Sequence, residues 1–120
     1  MKAETDLRAR TKQFAKRIIR LFAALPKDTA AQILGKQALR SGTSVGANYR
    51  AVCRAKSTAD FTNQLRVVEE ECDESLFWME LLMDNDLVKP ARLTDLMKEA
   101  DELLAIVVSS AKTARSSRGA

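Results

Sequence analysis

Leu7, Thr11, Phe14, Ile18, Leu21 and Leu25 recur at alternating steps of four and three. That spacing predicts one apolar stripe along an amphipathic helix. Thr5 or Asp6 is its expected N-cap, and Pro26 marks its end. A second helix is expected after Pro26, with Asp28 as N-cap, running through Leu34, Ser41, Val45, Asn48 and Val52. Ser57 or Thr58 caps a third, whose stripe is Phe61, Leu65, Val68, Cys72, Leu76, Met79 and Met83. Asp84-Asn85-Asp86 signals a turn. A fourth starts near Pro90 and carries Leu93, Leu96, Ala100, Leu103, Val107 and Ala111. Four helices of about 20–27 residues joined by short loops predict an all-α, antiparallel up-down four-helix bundle. Residues 1–115 form its single domain, and residues 116–120 form an expected frayed tail. No repeat of 20–50 residues is visible, which excludes a solenoid.

The second helix carries Gly35, Gly42 and Gly46, each costing roughly 1 kcal/mol against Ala. At 100° per residue the three fall within about 20° of one line. Such a strip lets another backbone approach closely. It serves either tight packing inside the bundle or a seam between subunits through Gly42 and Gly46. Lys36, Arg40, Arg50 and Arg54 share a wedge on another side, with no acid among them. This wedge is a candidate nucleic-acid-binding face, a solvated face, or a face paired to acids elsewhere. The cations of the first helix, Arg8, Arg10, Lys12, Lys16, Arg17 and Arg20, spread around its cylinder instead.

The third helix has a second stripe beside its core stripe: Val67, Glu71, Glu74, Trp78 and Leu81. A monomeric bundle does not require Trp78 and Leu81 there, whereas an oligomer interface favours Trp. These five residues, with Gly42 and Gly46, form the candidate oligomer interface. In that arrangement Glu71 and Glu74 meet basic helices of a neighbouring subunit.

Composition changes the picture by exclusion. Apolar residues at 46% and charged residues at 30% indicate a globular chain. The 120 residues contain no histidine. That removes Ser-His-Asp and Cys-His sites, His-ligated zinc and the Glu-x-x-His pair of di-iron bundles. Two cysteines are too few for a four-thiolate zinc site. A binding or assembly protein without cofactor is expected, not an enzyme. Glu69, Glu70, Glu71, Asp73 and Glu74 surround their helix and do not converge on a metal. Ser41, Ser44 and Asn48 lie on or beside the core stripe, where buried polar groups need partners. Serine hydroxyls bonding backbone carbonyls, and Asn48 bridging to a neighbouring helix, satisfy that need.

The net charge of +4 conceals a division. Residues 1–56 hold thirteen Lys/Arg and three acids, whereas residues 57–85 hold one and eight. The first half is strongly basic and the third quarter strongly acidic. Cys53 and Cys72 are expected to lie roughly 18 Å apart along the second hairpin, too far for a disulfide. Reduced thiols suit the cytoplasm, and neither a targeting signal nor a span of about 18 apolar residues is visible.

Residues 39–50, Leu-Arg-Ser-Gly-Thr-Ser-Val-Gly-Ala-Asn-Tyr-Arg, resemble the signature of the 23S rRNA-intervening sequence proteins. So do Ala55-Lys56-Ser57 followed by Asp60-Phe61, and the later run of residues 70–82. The resemblance spans roughly residues 10–112. It implies a small left-handed up-down bundle that often assembles as a ring-shaped homopentamer. The family name records genes lying inside ribosomal RNA insertions, and does not establish a ribosomal function. A similar bundle serves diversity-generating retroelements as a basic pentameric accessory protein, binding the reverse transcriptase and nucleic acid. Family members commonly carry an acid after the Asn-aromatic-Arg stretch, where this chain has Ala51. The resemblance brings no catalytic residues. The expected partners are further copies of the chain, RNA or another nucleic acid, or a reverse transcriptase, and no membrane.

Overall fold

The computed structural model describes the backbone of residues 2–119 and the side chains of residues 7–116. Four helices follow in order: α1 (Lys2–Ala23), α2 (Thr29–Cys53), α3 (Thr58–Asp84) and α4 (Pro90–Gly119). They form a rod of 52 × 21 × 20 Å. At about 1.5 Å per residue, a helix of this length spans most of that rod. α4 continues to Gly119, and the expected tail at 116–120 falls mostly on side chains outside those described.

Local chemistry sets most of the boundaries. Asp28 caps α2, its carboxylate accepting the Ala31 N–H at 2.9 Å. Ser57 caps α3 by accepting the Asp60 N–H at 3.0 Å, and the Asp60 carboxylate accepts the Lys56 N–H at 3.1 Å. After α3, Asp86 enters the left-handed region at φ 57°. There Leu87 N–H bonds the Leu82 carbonyl and Asp86 N–H bonds the Met83 carbonyl. That is a Schellman closure with aspartate where glycine is more usual. α1 departs from expectation: it begins at Lys2, so Thr5 and Asp6 lie within the helix and neither caps it. Lys, Ala and Glu are good helix formers, so residues 2–4 extend the helix past both candidate caps.

Cross-helix contacts fix the antiparallel register. Along α1 and α2, Gly35 faces Phe22, Gly42 faces Ile18 and Gly46 faces Thr11. Ser41 meets Ser75 across α2 and α3, and Arg10 meets Glu99 across α1 and α4. Phe14, Ile18, Leu65, Met79, Leu82, Leu93 and Leu103 are fully buried between the helices. Burying each such side chain is worth roughly 1.5–3 kcal/mol. α1 and α4 touch far less than the other adjacent pairs, which leaves a groove along that seam.

Candidate functional site

The cation wedge of α2 divides between two neighbours. Arg40 turns to α3, where its Nη2 donates to Glu74 Oε1 at 2.6 Å and its Nη1 lies 3.5 Å from Glu71 Oε2. Two carboxylates of the same chain therefore neutralise it. Burial pushes the Glu71 carboxyl above its ordinary value, and the charge of Glu74 adds to this, against the opposing pull of Arg40. Glu71 and Glu74, expected to meet a neighbour's basic helices, both lie against Arg40 of their own chain.

Arg50 and Arg54 turn to α1. With Arg8 and Lys12 they rim a cleft of about 380 Å³, floored by Thr11, Ala15, Gly46 and Ala47. No carboxylate pairs with any of these four cations among the described residues. Gly46 helps make the cleft, because its backbone lies so close to α1 that a Cβ would come 3.2 Å from the Thr11 carbonyl oxygen. Lys36 is exposed and stands apart, fourteen residues and roughly 21 Å along the helix from Arg50. The structure thus joins Arg50 and Arg54 to Arg8 and Lys12, and separates them from Lys36 and Arg40. The signal for Arg8 and Lys12 was their four-residue spacing, which puts both on one side of α1.

The glycine strip is filled by α1 of the same chain. Gly42 is buried, and a Cβ there would come 2.7 Å from Ile18 Cγ1. Gly42 and Gly46 therefore face inward, against α1, and Gly42 presents no open surface to a second copy. On α3, Trp78 is half-buried, its indole Nε1 enclosed with no hydrogen-bond partner among the described residues, and it meets Phe77 edge-on at 5.0 Å. Leu81 is half-buried and Val67 borderline exposed. The most exposed large apolar residue of α3 is Phe77, half exposed and outside the expected stripe.

The polar residues of the α2 core are satisfied locally. Ser41 Oγ lies 3.0 Å from the Gln37 carbonyl, Ser75 Oγ lies 2.8 Å from the Glu71 carbonyl, and the two hydroxyls lie 3.1 Å apart. Ser44 donates to the Arg40 carbonyl. Asn48 donates to the Ser44 carbonyl within α2 and does not bridge to another helix. Both cysteines are free. Burial, assisted by nearby Glu71, Asp73 and Glu69, pushes the Cys72 thiol up to about 12. Among the described residues there is no group of three cysteines or carboxylates placed to hold a metal, and no helix is long and apolar enough to cross a membrane.

Comparison with known proteins gives these surfaces a family. A solved structure, that of a protein of unknown function from the S23 ribosomal protein family of Bacteroides thetaiotaomicron VPI-5482, superposes with a TM-score of 0.84 at 31% identity. The match covers 91% of this chain and 97% of that one. No curated protein matches the chain. The family model for the 23S rRNA-intervening sequence protein matches residues 4–109, nearly the whole bundle. The chain belongs to the 23S rRNA-intervening sequence protein family.

Proposed function

We propose that this chain is a non-enzymatic, homo-oligomeric bundle, a pentamer as its family resemblance implies, that binds RNA or another nucleic acid through basic surface. The observation that carries the nucleic-acid part is the α1/α2 cleft. Arg8, Lys12, Arg50 and Arg54 gather around it without a carboxylate partner among the described residues. Such a cluster attracts a phosphate backbone and gains by releasing its counterions. The serine hydroxyls of the core bond helix carbonyls, and the Cys72 thiol is buried and poorly ionised. Neither has the activation that a nucleophile needs.

Salt-dependent binding of a labelled single-stranded RNA tests this reading. The Lys12→Glu/Arg50→Glu variant is expected to weaken binding at every salt concentration. Its log–log salt slope should be shallower by about 1.4, roughly 0.7 for each lost phosphate contact. Arg40→Glu should change affinity little, since Arg40 is already neutralised. Equal loss from both variants would place the contact elsewhere. A second reading, a protein-interaction scaffold such as a reverse-transcriptase accessory subunit, draws on that same Arg40 neutralisation. Unaltered RNA affinity in the Lys12→Glu/Arg50→Glu variant would favour it.

A further inference from the structure

Two surfaces remain that the cleft does not use, and they complement each other. The first is on α3. Phe77 is 50% exposed, although a phenyl ring gains by burial. Asp73, Glu74, Glu80 and Leu81 sit three or four residues away and so share its face of the helix. Glu74 is engaged with Arg40, whereas Asp73 and Glu80 are exposed and have no ion-pair partner among the described residues. The surface is an apolar knob with an acidic collar.

The second surface is the groove where α1 and α4 diverge. Leu21, Ala24 and Leu96 line it, and Arg17, Arg20 and Arg92 stand on its rim. No carboxylate lines it, and none of the three arginines has an ion-pair partner among the described residues. Its volume is about 360 Å³, and a cavity of about 150 Å³ suffices for benzene. Further along the same seam the Arg10–Glu99 pair, with contacts of 2.6 and 3.0 Å, ties the helices together. This surface is an apolar hollow with a basic rim.

We infer that the Phe77 knob of one copy seats in the α1/α4 groove of the next. This rests on the homo-oligomer reading and specifies which surfaces carry it. The occupant is a second copy of this chain because knob and groove match in both apolarity and charge. A contact between two different surfaces is heterologous, so it repeats head-to-tail and closes into a ring when the rotation allows. Phe and Arg are both enriched at such interfaces, and the collar charges orient the encounter. The α1/α2 cleft takes no part in the contact and stays open to its own ligand.

Measurement of mass in solution tests this, with circular dichroism confirming that each variant is folded. Wild type is expected to run as an assembly. Phe77→Asp, which breaks the knob, and Arg20→Glu/Arg92→Glu, which breaks the groove, should each run at the protomer mass of 13.3 kDa. Mixed together, they retain one intact groove and one intact knob. They should form a one-to-one pair that cannot grow, at about twice the protomer mass. An assembly undisturbed by Phe77→Asp would overturn the knob-and-groove contact and leave homo-oligomerisation standing. So would variants that dissociate but fail to pair when mixed. A wild-type monomer would overturn homo-oligomerisation, and this contact with it.

Discussion

Toward α1, helix α2 presents glycines, and toward α3 it presents a serine and an arginine. The α1/α2 seam closes by shape: Gly42 admits Ile18, and Gly46 lets the α1 backbone approach. Its cations collect at the rim with no carboxylate partner among the described residues. The α2/α3 seam closes by chemistry: the Ser41–Ser75 contact lies inside, and Arg40 bridges Glu71 and Glu74 at the edge. One helix thus carries two kinds of cation, spent and available. Charge on a helix predicts binding only once the neighbours of each charge are known.

The comparison can be broken most sharply at Gly42. Gly42→Val should cost about 1–3 kcal/mol in urea denaturation, because Ile18 is fully buried and has little room to move. A neutral result would mean that the α1/α2 seam is not held by close approach.

The next effect separates the cations. Arg40→Ala should destabilise by up to about 1 kcal/mol, the scale of a partly exposed ion pair. Arg50→Ala should fall within about 0.5 kcal/mol of wild type or be slightly stabilising, since it relieves repulsion from Arg8 and Lys12. The reverse order of midpoints would contradict the division into spent and available charge.

Glu71 supplies a pH signature. Its carboxyl is raised above the ordinary value of 4.5. Between that value and the folded one, the folded protein holds a proton that the unfolded chain has released. Stability from this group is therefore present at low pH and lost as pH rises through the folded value. Relative to Glu71→Gln, wild type should lose stability across that window and then run parallel. Denaturation midpoints measured from pH 4 upward would show it, and parallel curves throughout would refute burial as the cause.

A further small effect belongs to the serine pair. Replacing both Ser41 and Ser75 by Ala removes donor and acceptor together and should stay within about 1 kcal/mol of wild type. A larger loss would make the hydroxyl pair a principal tie of the α2/α3 seam.

Much of the fold was legible because it is local. The periods of the four stripes, the caps at Asp28 and Ser57, the turn at residues 84–86 and the start at Pro90 all depend on neighbours within a few residues. The start of α1 was not, because a residue suited to capping ends a helix only where the preceding chain declines to continue it. The candidate site was half legible. Arg50 and Arg54 were found, but Arg8 and Lys12 were lost among cations that encircle α1. Phe77 escaped because residues on the outer face of α3 look alike in sequence, whether solvent or a partner covers them.

An all-α bundle, the absence of histidine chemistry and the opposition between a basic first half and an acidic third helix could all be read along the chain. Those follow from residue type and from spacing along one chain. Which cations are neutralised, that α1 fills the glycine strip, and that Phe77 and the α1/α4 groove are left open within the protomer became visible with the packed helices. Angle around a helix says which residues share a side. What stands opposite that side depends on how the other three helices pack, and that is a property of the assembled bundle.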